Sequence, residues 1–267
     1  MTERLAIRAA SRYVAGTTLD HAVAVVGRLS ATGVASSVDM FGEWVRDAST
    51  VDRVRDDYLA LAGRLADLPA NTWISIDLSH LGLDIDPARC ADYLTAITRA
   101  VPTGHRVQVG AEDARRADAV LDCVTATAAA GLGDRLGATV QANLRRSPRD
   151  VERLVDAGVH VRLVKGAFVE PASDALSYGE ETDIAYLRLA HRLAERGAEF
   201  CLATHDGVVR EALLAGLGPL PVEQLLGVRP EIRDDLVERG IPVRVYVPYG
   251  PDWFRYWMRR VAESRGA

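Results

Sequence analysis

Several things are scarce in this chain of 267 residues, and each scarcity closes off a class of protein. There are only three cysteines, Cys90, Cys123 and Cys201, far apart and each among apolar neighbours. An odd, scattered set writes no disulfide framework and no zinc-ligand spacing, so they read as small buried hydrophobes in a reducing compartment. No run of 18 apolar residues occurs, and the N-terminal stretch MTERLAIRAASRYVAG carries an acid and a base within four residues. Neither a membrane span nor an export signal is therefore expected. Positive charge is not in excess either: 32 Lys+Arg stand interspersed with 37 Asp+Glu, for a net charge of −5. Without a basic field to drive phosphate-backbone binding, no nucleic-acid partner is expected. Also missing is a Gly-rich phosphate loop of the GxGxxG or GxxxxGK[ST] kind after any apolar run.

What is present is regular. Eight short β-type segments begin near Ser36, Trp73, Arg106, Ala138, His160, Glu199, Val222 and Val243. Between them lie stretches of three-four apolar periodicity, such as 51–68, 113–130, 150–157 and 182–196, which predict amphipathic helices. Gly33, Gly104, Gly137, Gly158, Gly197 and Gly240 stand where these helices should end, and Pro87 and Pro148 where two should begin. Eight strictly alternating βα units in about 230 residues match a single closed (β/α)8 TIM-type barrel spanning 1–267. A doubly wound open sheet is the alternative. A helix over 19–32 precedes the first strand and has to pack outside the repeat.

In such a barrel, chemistry belongs at the C-terminal strand ends. That rule selects Asp39, Glu43, Asp77, His80, Glu112, Gln141, Asn143, Arg162, Lys165, Thr204, His205, Asp206, Tyr246 and Tyr249. Lys165, followed by Gly166 and Ala167, could serve as a Schiff-base amine, contact an anionic cofactor, or close an ion pair. A metal site would have to combine His205 with Asp39, Asp77 or Glu112, and no HxH, HxxxH or HExxH spacing supports one. The segment 253–263 places two of the four tryptophans among three arginines. On a helix Tyr256 and Arg260 share a face, and Arg259 with Glu263 an adjacent one. Paired guanidiniums beside aromatic surface suit a carboxylate on an apolar body, but a terminal helix with solvated arginines has the same pattern.

These residues also resemble the proline dehydrogenase family. The resemblance is most specific in Val161-Arg162-Leu163-Val164-Lys165-Gly166-Ala167-Phe168, in Ala203-Thr204-His205, and from Gly227-Val228-Arg229 through Arg244-Val245-Tyr246-Val247-Pro248-Tyr249-Gly250 to Tyr256-Trp257-Met258-Arg259-Arg260-Val261-Ala262-Glu263. Weaker similarity covers 13–16, 39–43, 76–83 and 140–146, nearly the whole chain. It implies an FAD-dependent barrel whose last helix caps the mouth, oxidising L-proline or a related cyclic amino acid to a 1-pyrroline-5-carboxylate type imine by hydride transfer. By that resemblance Gln141, Arg162, Val164, Lys165, Gly166, Ala167, Thr204, His205, Asp206, Glu223 and Glu263 form the cofactor side. Arg259, Arg260, Tyr246, Tyr256, Leu225 and Asp77 form the substrate side. A quinone or another acceptor would take the electrons. The expected location is the cytoplasm, with at most peripheral contact to a membrane.

The departures from the family pattern cluster at the pocket. Asp77 stands where the family carries lysine, Gly110 where it carries aspartate, and Phe168 and Asn143 where it carries tyrosine. Asp206, Glu223 and Gly179 replace the usual Asn, Gln and a basic residue. Exchanging lysine for Asp77 changes local charge by two units, and one charge pair 4 Å apart is worth roughly 4 kcal/mol at an effective dielectric of about 20. A diverged substrate is one expectation. Others are a barrel that has lost FAD and only binds, or a Schiff-base lyase built on Lys165. With all 267 residues assigned to the barrel, its N-terminal helix and its capping helix, no fused aldehyde dehydrogenase unit is expected.

Overall fold

The computed structural model describes residues 10–264, without the side chains of Arg259 and of 261–264. Its strands are β1 (Ala35–Met40), β2 (Thr72–Ile76), β3 (Val107–Val109), β4 (Leu136–Gln141), β5 (His160–Val164), β6 (Phe200–Leu202), β7 (Val222–Leu225) and β8 (Val243–Tyr249). They pair in chain order, all parallel, and β8 returns to β1 to close the barrel. The open-sheet alternative is thereby set aside. In the closing register Ser37 lies opposite Tyr246 and Asp39 opposite Pro248.

Helix α1 (Leu19–Ser30) precedes the barrel; α2 (Ala48–Arg64), α3 (Pro87–Ala100), α4 (Ala117–Thr127), α5 (Ser147–Asp156), α6 (Glu180–Glu195), α7 (Gly207–Leu217) and α8 (Pro230–Glu238) each follow a strand, and α9 (Trp253–Ser264) follows β8. Local chemistry sets several starts. Asp47, Asp86 and Asp206 cap α2, α3 and α7 through their carboxylates, and Pro87 and Pro148 fill first-turn positions. Outward strand residues such as Val161 and Leu163 meet helix residues such as Leu154, Tyr186 and Leu193 in one continuous apolar layer.

The helix before the first strand finds its place on the barrel flank against β1 and β8. Ala22, Val25, Val26 and Leu29 are its buried stripe. The flank is open because α9 does not descend beside β8. Instead Trp253 and Tyr256 pack with Phe41 at the C-terminal end of β1 and with Ala10 and Val14, roofing part of the mouth. All three cysteines are buried; the Cys90 thiol on α3 donates to the Leu78 carbonyl at 3.8 Å and the Cys123 thiol on α4 to the Pro87 carbonyl at 3.5 Å. Among the described residues no helix is long and apolar enough to cross a membrane.

One expected helix end is corrected. Gly33, Gly104, Gly158, Gly197 and Gly240 adopt the left-handed conformation, but Gly137 does not; it lies inside β4, and the turn uses Gly131 at φ 81° instead. Gly137 is needed for space. A Cβ there would come within 2.1 Å of Gln108 Oε1, a buried side chain on the neighbouring strand. Gly137→Ala should therefore lower stability by about 1–3 kcal/mol through overpacking. Urea denaturation should show a lower midpoint with unchanged slope; an unchanged midpoint would mean that Gln108 moves aside freely.

Candidate active site

The barrel interior is organised by one cation. Arg162, on β5, is buried and reaches across the barrel: its Nε donates to Glu223 Oε2 on β7 at 2.5 Å, Nη1 to Ser75 on β2 at 3.4 Å and Nη2 to Ser37 on β1 at 3.3 Å. Burial works against its charge, but Glu223 outweighs that and raises the guanidinium's pKa. Glu223 also faces Arg244 Nε at 3.4 Å, so one buried carboxylate serves two arginines.

Above this lies an acidic, tyrosine-lined pocket. Asp39, at the end of β1, accepts from Tyr246 at 2.5 Å and from Tyr58 on α2 at 3.1 Å. Burial raises its pKa to about 6, against the opposing pull of both tyrosines and Arg162. Burial, and after it Asp39 and Asp77, push Tyr58 and Tyr246 well above the ordinary phenol range. Asp77 occupies space left by Gly110: a Cβ on residue 110 would meet Asp77 Oδ1 at 1.8 Å. The two departures at 77 and 110 are thus sterically coupled, since the acid that the end of β3 lacks stands on the end of β2. His80 packs edge-on to Tyr58, and burial lowers its pKa to about 4, so it is neutral.

The opposite flank is built from the ends of β4 to β7. Lys165 Nζ lies 2.5 Å from both Asp206 and Asp183. Burial opposes its charge, but the bonds and charges of these carboxylates prevail and its pKa is raised. A held ammonium has no lone pair for a carbonyl, which counts against the Schiff-base reading. Next to it, His205 Nε2 accepts from the Leu225 backbone N–H at 3.3 Å, and burial lowers its pKa to about 4, so the ring is neutral with its proton on Nδ1. That Nδ1 is buried without a partner among the described residues. Asn143 Oδ1 is likewise buried and unpaired. It sits over Gly166, at φ 110°, where a Cβ would approach Asn143 Oδ1 to 2.0 Å. Gln141 Nε2 donates to the Glu112 carbonyl at 2.8 Å, the Glu112 carboxylate accepts from Ser79 N–H at 2.9 Å, and Thr204 Oγ1 accepts from Asp206 N–H at 3.1 Å. Val164 accepts from Ala142 N–H at 2.8 Å through its carbonyl, and Ala167 is exposed beside Gly166.

On the roof, Arg260 and Tyr256 do share a helix face: the guanidinium lies 4.9 Å from the ring centre. Tyr256 in turn lies 5.9 Å from Tyr246, linking roof to pocket. The side chains of Arg259 and Glu263 fall outside the described residues. Glu223 stands deep in the interior and reaches the mouth through Arg162. Among the described residues no group of three His, Cys, Asp or Glu is placed to hold a metal.

Three residues had no assigned role in the sequence reading. Tyr58 is spaced like any buried helix residue, and Asp183 sits in the acidic first turn of α6 like an ordinary helix start. Arg229, within the stretch that carries the resemblance, donates to the His205 carbonyl at 3.0 Å from a left-handed φ of 45°, a contact between two strand ends. Asp39 was selected as a strand-end acid, and only its tyrosine partners give it a task.

The Asp39 proton has a measurable consequence. Its folded pKa of about 6 exceeds the ordinary 3.8, so the native state binds the proton more tightly than the unfolded chain. That stabilisation is full below about pH 4 and is lost as pH rises through about 6. Asp39→Asn, neutral throughout, should be more stable than the parent at pH 7.5 by about 2–3 kcal/mol at most, with the gap closing toward pH 4. Denaturation midpoints at both pH values check this, and a gap independent of pH would refute it.

A closed parallel barrel with its polar side chains at the C-terminal strand ends, under an aromatic roof helix, is an enzyme barrel. The family model described as proline dehydrogenase matches residues 22–267, and this chain belongs to that family of flavin-dependent oxidoreductases. It is 31% identical to proline dehydrogenase 1 of Bacillus subtilis (strain 168) over 262 residues, 95% of this chain and 86% of the relative. With the proline dehydrogenase of Deinococcus radiodurans it shares 31% identity over 266 residues, 96% of this chain and 86% of that one. Among solved structures, proline utilization A (PutA) from Bdellovibrio bacteriovorus, inactivated by N-propargylglycine, superposes with a TM-score of 0.84 at 21% identity, covering 94% of this chain and 32% of that one. PutA from Corynebacterium freiburgense gives 0.82 at 19%, covering 96% and 31%. The chain spans about a third of those two proteins, and the likeness to them is one of fold.

Proposed function

We propose that this chain oxidises L-proline, or a closely related cyclic amino acid, to the cyclic imine with FAD as the hydride acceptor, and passes the electrons to a quinone or another acceptor. The observation that carries the reading is the stack at the mouth, Arg260 over Tyr256, Tyr256 against Tyr246, and Tyr246 on Asp39, within a family whose relatives are named proline dehydrogenases. Arg260 with Arg259 takes the carboxylate, and Tyr256, Tyr246 and Leu225 flank the ring. Asp39 holds the Tyr246 hydroxyl and so fixes that wall. Asp77 adds negative charge to the same pocket, which favours a substrate presenting a hydrogen-bond donor or positive group on that side.

The residues of the other flank fit FAD. Two buried polar atoms without partners among the described residues, His205 Nδ1 and Asn143 Oδ1, leave a donor and an acceptor on this flank. Gln141, Arg162, Val164, Lys165, Gly166, Ala167, Thr204 and His205 would hold it, with Asp206 orienting Lys165 and Glu223 orienting Arg162; Glu263 is assigned to the same side by the resemblance alone. When bound, FAD supplies the two-electron acceptor for a hydride from the ring carbon beside nitrogen. The nitrogen lone pair becomes the second bond of the protonated imine, whose N–H proton is then released to water to give the neutral imine, so the protein needs positioning rather than a nucleophile. Arg162, charged and rigidly held, stabilises negative charge that develops in the interior.

Anaerobic addition of L-proline to the purified yellow protein should bleach the flavin absorbance. A colourless protein that takes up no added FAD would overturn the proposal in favour of a binding barrel, and bleaching only by another cyclic amino acid would reassign the substrate. Arg260→Ala should raise KM for the carboxylate substrate at least ~30-fold, because losing one partner of a desolvated charge pair costs about 2 kcal/mol or more. Unchanged kinetics would return Arg260 to solvent.

A further inference from the structure

The end of the barrel opposite the mouth holds an open cavity of about 420 Å³, lined by the N-terminal ends of the strands. That volume lies within the range of small-molecule sites, and its composition is also typical of one: apolar walls with a few converging polar groups. Phe200, Leu220 and Pro242 form apolar wall, while Arg106, Arg244 and Trp73 form the polar side.

The charges there do not balance. Arg244 lies over the Trp73 ring at 3.4 Å from its centre and Arg106 at 4.9 Å. Glu223, the buried carboxylate nearest to Arg244, is engaged more closely by Arg162, at 2.5 Å against 3.4 Å. Arg106 Nη2 donates to the Asp134 carbonyl at 3.2 Å and to Glu199 at 2.8 Å, but the Glu199 side chain is 76% exposed at the rim, where an ion pair contributes little. The described hydrogen bonds of Arg244 use Nη1, to the carbonyls of Ser36 and Asn71. Three guanidiniums therefore share two carboxylates, one of which is in solvent. The neighbouring groups register this field. His160, edge-on to Trp73, is held neutral by burial and then by Arg106, Arg162 and Arg244. Burial also lowers Arg244 to about 10, with Arg162 and Arg106 acting in the same direction and Glu223 against it. Guanidiniums held on an indole face are weakly hydrated and oriented in advance, the state suited to bidentate capture of a carboxylate.

We infer that this cavity is a second binding site, for a small organic carboxylate whose anionic group is taken by Arg244 and Arg106 beside Trp73 and whose apolar body lies against Phe200, Leu220 and Pro242. Of the residues lining the site, Glu223 alone also belongs to the mouth's machinery. The site is linked to the interior through Glu223, which faces Arg244 below and Arg162 above.

Benzoate is the probe, titrated calorimetrically into the FAD-loaded protein in a buffer without phosphate or carboxylates. The Arg260→Ala variant is titrated in parallel, because it weakens carboxylate capture at the mouth and leaves the floor intact. One saturable site per chain is expected to persist in that variant. In the same background Arg106→Ala should weaken it at least ~10-fold, and Leu220→Trp, which fills the cavity, should abolish it while the urea midpoint stays close to the parent's. Absence of saturable binding in the Arg260→Ala protein would overturn the inference, as would binding untouched by Arg106→Ala. Inorganic phosphate binding as tightly as benzoate would overturn the organic part of the assignment.

Discussion

A single buried ion pair organises this barrel. Arg162 and Glu223 face each other across the interior at 2.5 Å, and the remaining guanidinium hydrogens reach Ser37 and Ser75. Neither partner tolerates isolation: removing one side of a buried pair costs on the order of 3–5 kcal/mol because the other charge is left without compensation. Three strands are thus tied to one arginine on a fourth, and small hydroxyl residues on β1 and β2 leave it room. The interior of this barrel is polar at its centre, while the apolar residues of the same strands face the helices.

From that centre the charge pattern divides the molecule. Toward the mouth the surplus is acidic, with Asp39 and Asp77 among tyrosines; toward the floor it is basic, with Arg244 and Arg106 on Trp73. Glu223 stands between the two regions. On the flank, Lys165 repeats the theme on a smaller scale, one cation between two carboxylates, which makes it a fixed positive charge. The roof completes the mouth by aromatic packing, since Tyr256 contacts both Phe41 and Tyr246.

Much of this could be read along the chain, and the parts that could not share one cause. Strand and helix alternation is local, carried by apolar spacing, Asp caps and first-turn prolines, and all eight strands lie where those signals placed them. The strand-end rule also selected Asp39, Lys165, His205 and Tyr246 before any contact was known. Gly137 was misread because a helix-ending glycine and a glycine that makes room for Gln108 look alike in sequence. Asp183 was overlooked because its partner, Lys165, is on the preceding strand. The coupling of Asp77 to Gly110 was invisible for the same reason, as was the stacking of Arg244 and Arg106 on Trp73.

By itself, then, the sequence determined the periodic order of eight βα units, the residues at their strand ends, and the resemblance that the family match bears out. These depend on neighbours a few positions apart, where backbone geometry and side-chain spacing act directly. Only the tertiary structure decided which charges meet. Closing the barrel brings Arg162 within reach of residues on β1, β2 and β7, and burial then sets their energies, because a carboxylate or guanidinium removed from water depends on whatever partner the fold supplies.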